Sequence, residues 1–208
     1  MESNPQPSDI NGLAGRFMWF IIFWNHAEMA AKQIAMLLLG ESTIGMAVTA
    51  ELGNRTLMDA LQAASHDLAL EDMGAIGPHL RHFAKGYSTL LGHRNFYVHG
   101  IYATRPHEVN ADAILYTFDG KGRVRIFNRH LTQEDLDIAI AGIHSLIGYG
   151  AAIQRELGAT GEGLERLLAT YQASLEMPDW PLPVEKTALY LQGQEPLPPE
   201  PNRKRRPN

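Results

Sequence analysis

Three side chains of types that can do phosphate chemistry stand close together in the chain: Arg94, Asn95 and His99, within the run Arg94-Asn95-Phe96-Tyr97-Val98-His99-Gly100. A histidine titrating near neutrality can take a proton from a ribose 2′-hydroxyl or give one to a leaving 5′-oxygen. An arginine, always charged, can hold a phosphate through paired hydrogen bonds and stabilise charge as it builds in the transition state. Asn95 can orient either group. Such chemistry needs no metal and leaves a 2′,3′-cyclic phosphate. On a helix Arg94 and His99 point roughly 140° apart, whereas Asn95 and His99 share a face. Arg94 falls near the apolar stripe of Tyr87, Leu91 and Val98, where a permanent charge requires an acidic partner or an anionic ligand. The structural alternatives are plain: an Arg94–Glu28 ion pair across a helix bundle, His99 capping its helix, and Asn95 bonding to backbone. Spacing alone does not decide, since Arg125 and His130 repeat the five-residue offset.

The elements that must position these residues are mostly helical. A first helix is expected from about Asp9 to Leu39, apolar almost all round its first half and stopped by Gly40. A second starts at Asn54 or Thr56 and carries Leu57, Leu61, Ala64 and Leu68 at helical spacing. The Gly74–Pro78 stretch breaks it. A third runs from Pro78 to His99 with the stripe Leu80, Phe83, Tyr87, Leu90, Leu91 and Val98, and Gly100 ends it. From Ile101 to Asn128 the period becomes alternating, with Ile114, Tyr116 and Phe118 facing Val124 and Ile126 across a turn at Asp119–Gly122. Thr132 and Asp135 resemble a capping box, opening a fourth helix through Leu136, Ile140, Ile143 and Ile147 to near Gly158. A short fifth covers Gly163 to Leu175. The fold class is therefore mainly α: an up-and-down bundle of four to five helices, with a small antiparallel β-hairpin or meander insert before the last long helix. The expected domain covers 9–176, with the insert at about 101–128, after a flexible N-terminus at 1–8. Eight of twelve prolines crowd into 177–208, which ends Arg203-Lys204-Arg205-Arg206. That composition is expected to stay extended and disordered, with a basic end that can meet phosphate.

Charge is unevenly spread. Residues 79–130 hold eight Lys/Arg against three Asp/Glu, and six of the nine histidines, while 1–78 hold three against nine and 131–176 two against seven. A local +5 inside an acidic chain suits a confined anion site better than a nucleic-acid-coating surface, or else a solvated hairpin face. With no Cys, thiol nucleophiles, redox pairs and thiolate zinc sites are excluded. The N-terminus lacks secretory features. The apolar run Phe17–Trp24 is far short of the roughly 20 residues a membrane span needs. A cytoplasmic protein with no membrane partner is expected. A phosphate-binding loop and a Gly-x-Ser-x-Gly elbow are both missing.

Arg-Asn-x-x-x-His-Gly closing the third helix of a small bundle, followed by a β-insert, resembles the signature of the HEPN superfamily. The resemblance extends over roughly residues 11–157. It implies a helical bundle that pairs as a homodimer, with two motif copies meeting at the interface. Many members are metal-independent endoribonucleases, toxins with antitoxin partners among them; others bind RNA, nucleotides or proteins without catalysis. Carried over, it makes Arg94 and His99 the catalytic pair and Asn95 their polar companion, with no cofactor. His93 and Tyr97 beside them, and Glu28 and Asn25 on the first helix, are the binding candidates, with His26 a weaker one. A competing class is a histidine-metal bundle, with His79 and His82 on one face and His66, His26 or Glu28 completing a site. Scattered histidines more often serve as surface or capping groups.

Overall fold

The computed structural model describes residues 12–40, 43–67, 75–103, 113–119, 125–184 and 187–189. Among these, six helices form a mainly helical structure: α1 (Leu13–Leu38), α2 (Thr43–Glu51), α3 (Asn54–Asp67), α4 (Gly77–His99), α5 (Gln133–Glu156) and α6 (Glu162–Thr170). The pattern that made the first helix apolar on most sides is explained by its neighbours. Phe20, Trp24, Ala27, Ala31 and Ile34 of α1 are all buried in one core to which α3, α4 and α5 also contribute. Each fully buried large side chain of this kind stabilises the fold by roughly 1.5–3 kcal/mol.

Residue contacts fix the helix directions. Phe20 meets Tyr97 at 5.3 Å between ring centres and Trp24 meets Tyr87 at 5.0 Å, so α1 and α4 run antiparallel. Arg16 bonds Asp137 at 2.8 Å and Gln154 reaches the Ala30 carbonyl at 3.4 Å, so α1 and α5 run parallel. Close approach depends on small residues: a methyl at Gly150 would sit 2.9 Å from Phe83. By length and composition α5 passes for a membrane span, yet 67% of its apolar window is buried within the bundle. A core helix explains it.

Helix ends follow local chemistry. Gly40 takes φ +78° after α1, the left-handed stop expected of it. Thr132 accepts from the Asp135 N–H at 3.1 Å while the Asp135 carboxylate accepts the Thr132 N–H at 2.9 Å, so Asp completes the capping box. Gly100, at φ −79° and ψ 153°, leaves α4 in extended backbone.

Two expectations need correction, and one helix falls where none had been assigned. Thr43–Glu51 is helical although its β-branched residues and Gly gave no helix signal. The last short helix stops at Thr170, where Tyr171 turns into the core, rather than at Leu175. And the proline-rich segment is not uniformly disordered. Met177 to Val184 lies extended along α4 and α5: the Trp180 indole N–H donates to the His82 carbonyl at 3.1 Å, and the His82 and His93 Nε2–H donate to the carbonyls of Pro178 and Leu182 at 2.7 and 2.8 Å. Composition reads the prolines but not the slot that receives the tryptophan.

The backbone also pairs in the antiparallel order β1 (Ile101–Ala103), β2 (Ala113–Asp119), β3 (Arg125–Leu131), β4 (Thr187–Leu189), the first three falling between α4 and α5 in the chain and the last after α6, with Phe118 opposite Ile126 and Tyr116 opposite Asn128. The expected turn lies, apart from Asp119, outside the described residues, as does Val124; so do the N-terminal segment 1–11 and the basic end of the chain.

Candidate functional site

The last turn of α4 brings the motif together. Arg94 Nη1 donates to His99 Nε2 at 2.9 Å and to the Asn95 side-chain oxygen at 3.2 Å. The 140° divergence is overcome because a long arginine side chain wraps toward a histidine on the final helical residue, with no further turn in the way. Since a guanidinium only donates, His99 accepts through Nε2, and its neutral ring carries the proton on Nδ1. The nitrogen that can act as a base is therefore the one held by Arg94. His99 and Asn95 are exposed and Arg94 is half-buried, so the cluster opens to solvent.

The inner side of Arg94 is different. Its Nε is buried with no hydrogen-bond partner among the described residues, and so are Tyr87 OH and Trp24 Nε1. Glu28 is not the direct partner of Arg94: its carboxylate pairs with Lys32 at 3.2 Å, one turn along α1. Burial chiefly, and the Glu28 charge next, push the Tyr87 phenol well above its ordinary value, while Arg94 pulls it down. The Tyr87 hydroxyl thus sits within electrostatic reach of an anion on α1 and a cation on α4. Tyr87 was read only as an apolar stripe residue, and Trp24 only as the end of the apolar run Phe17–Trp24. The usable signal was the seven-residue offset from Tyr87 to Arg94, which stacks them two turns apart on one face.

The remaining candidates divide. Asn25 and Glu28 line a cleft of about 430 Å³ between α1 and α2, with Met29, Lys32, Met36 and Met46. His93 and Tyr97 are buried: Tyr97 packs against Phe20, its hydroxyl bonds His93 Nδ1 at 3.2 Å, and His93 anchors the C-terminal segment. They hold the far face of α4 and do not open into the Arg94–His99 cluster.

Of the histidines weighed as metal ligands, His26, His79 and His82 are engaged elsewhere, and His66 is exposed on α3. His79 Nδ1 shares a 2.8 Å hydrogen bond with the Tyr149 hydroxyl, whose phenol burial pushes up to about 12. His26 Nδ1 bonds Tyr171 at 3.2 Å. No group of three metal-ligating side chains occurs among the described residues.

Compared with family models, with curated proteins and with solved structures, the chain matches none. What it can do must therefore be argued from its own groups.

Proposed function

We propose that the chain is a HEPN-like, metal-independent endoribonuclease with Arg94 and His99 as its catalytic pair. The observation that supports this reading most is the 2.9 Å contact between Arg94 Nη1 and His99 Nε2 at a solvent-open helix end, with Asn95 on the same Nη1. A bare guanidinium is an anion receptor, and an imidazole with Nε2 unprotonated is a base. On this reading an RNA phosphate draws the guanidinium onto its oxygens and frees Nε2. His99 then takes the 2′-hydroxyl proton as that oxygen bonds to phosphorus. The bond to the 5′-oxygen breaks, that oxygen takes up a proton, and the products are a 2′,3′-cyclic phosphate and a 5′-hydroxyl. Arg94 steadies the charge on the phosphoryl oxygens throughout. The paired strands after α4 serve as the family's β-insert. A homodimer would set two such clusters side by side, and sedimentation at micromolar concentration tests that pairing directly.

The deciding experiment is incubation with labelled single-stranded RNA in EDTA. Wild-type protein is expected to give cyclic-phosphate ends, with His99→Ala and Arg94→Ala each slowing cleavage by about a hundredfold or more. Binding without cleavage in all three would replace the enzyme with a non-catalytic RNA-binding module. Neither binding nor cleavage would overturn both.

A further inference from the structure

Three buried polar groups on α1 and α4 have no partners among the described residues: Trp24 Nε1–H on α1, and Tyr87 O–H and Arg94 Nε–H two turns apart on α4. Tyr87 and Trp24 are 0% and 2% exposed and their rings lie 5.0 Å apart, so water does not simply wet them. Orphaned donors of this kind are costly, and proteins keep few of them. Two of the three can only donate, and the charged acceptor within electrostatic reach of Tyr87 is the Glu28 carboxylate. Glu28 has two oxygens; Lys32 engages Oε1. A phenol within electrostatic reach of an anion and a cation can turn its proton toward the carboxylate and its lone pairs toward the guanidinium.

We propose that Tyr87 is a positioning residue for Arg94, its hydroxyl closing a hydrogen-bonded relay from Glu28 to the Arg94 Nε–H when an anion occupies the guanidinium's outer edge. The catalytic half of this inference rests on the ribonuclease reading; the relay itself requires only that Arg94 bind an anion. A fixed Nε–H sets the plane of the guanidinium, and with it the direction in which Nη1 and Nη2 meet a phosphate. In the free protein Nη1 is held by His99 and Asn95, and Nη2 is bonded to no described residue. Anion binding pulls that edge outward and swings Nε toward Tyr87. The bonds within such a chain strengthen one another.

The test compares wild type, Tyr87→Phe and, as a control, Tyr149→Phe, whose lost hydroxyl bonds His79 at the other end of α4. The Arg94 Nε–H proton is followed by NMR in the free protein, with inorganic phosphate, and with a short 2′-O-methyl RNA that cannot be cleaved. In wild type, phosphate is expected to slow exchange of that proton with water, and Tyr87→Phe to abolish the slowing. Affinity for the methylated RNA should fall about tenfold in Tyr87→Phe, the effect of one hydrogen bond to a charged group. Its melting temperature should hold or rise, because an unpartnered buried hydroxyl has been removed. Tyr149→Phe should melt earlier and leave the Arg94 proton untouched. Phosphate protection that survives in Tyr87→Phe, or is absent from wild type, overturns the relay. Protection that depends on Tyr87 in a protein that neither binds nor cuts RNA sustains the relay and overturns the ribonuclease reading instead.

Discussion

Arg94 and His99 show how far a residue's direction on a helix differs from its reach. Helical geometry sets their Cβ atoms well apart, yet the contact is 2.9 Å, because a guanidinium at the end of a long, flexible stem reaches around the last turn. Offsets counted in a sequence thus identify candidate partners by type, and the side chain's length decides which of them meet. His144 makes the complementary point. Its ring lies edge-on to Phe23 at 4.2 Å and to Tyr171 at 5.3 Å, and its Nε2 is buried without a partner among the described residues. Burial lowers its pKa below the ordinary 6.5. The unfolded chain therefore binds more protons than the folded one below about pH 6.5, and stability must fall as the medium is acidified through that value toward the folded pKa. Above it the contribution is fully present. Replacing His144 with Phe keeps an aromatic ring among Phe23 and Tyr171 and removes the titrating group. Urea unfolding between pH 7.5 and 5 is then expected to show a shallower acid decline in His144→Phe than in wild type. Equal slopes would mean that His144 gains its proton without cost in the folded state.

At the scale of elements, the strip Met177–Val184 and its seat on α4 act as a unit. Trp180 lies over Gly86, where even a methyl would overlap the indole, and a methyl at Gly142 would meet Pro181 and Leu90 at 3.1 Å. The tryptophan also stacks with His82 at 5.1 Å between ring centres. Two consequences separate cleanly. Trp180→Ala loses the ring and its hydrogen bond, for about 3 kcal/mol of stability. Gly86→Val keeps the tryptophan but displaces it, for about 1–3 kcal/mol, and the double variant should cost less than the two added together because they remove one contact. Additive losses in denaturant melts would show that Gly86 matters for some other reason. The same strip marks the limit of what the sequence revealed. The helices α1, α3, α4 and α5 were legible because their apolar spacing and caps, Gly40 and Thr132 with Asp135, are local signals. The helix at Thr43–Glu51 was not, since only Gly45 and Thr49 are buried and its propensity is poor. The docking of Trp180 was hidden as well, because a contact across 94 positions leaves no periodic trace. Of the candidate site, Arg94, Asn95 and His99 were visible as a motif. That His93 and Tyr97 turn inward while Tyr87 is buried within electrostatic reach of Arg94 depends on which faces α1 and the C-terminal strip cover, a property of the assembled bundle.

For the molecule as a whole, charge decides what kind of nucleic-acid contact is physically reasonable. The chain carries a net charge of −5, and its positive surplus lies mainly in residues 79–130, at +5, with +1 more in residues 177–208. The α5 start and α6 are acidic, with Glu134, Asp135, Glu162 and Glu165 in their first turns. A polyanion approaching such a surface is repelled over most of it and attracted at one place. Binding by broad phosphate neutralisation would involve about eight contacts, and raising salt about fourfold would then weaken a single strand by more than about a thousandfold. The proposed site on Arg94, used once in each half of the proposed homodimer, would neutralise about two phosphates. The slope of log affinity against log salt is then about −1.4, and the same salt step costs only about sevenfold. Titration of a 2′-O-methyl RNA across that range distinguishes the two, and Arg94→Ala should flatten what slope there is. A steep slope that survives Arg94→Ala would place the RNA contact elsewhere on the chain, with the arginine run near its C-terminus the first region to examine, and would remove the reason for treating the end of α4 as the anion site.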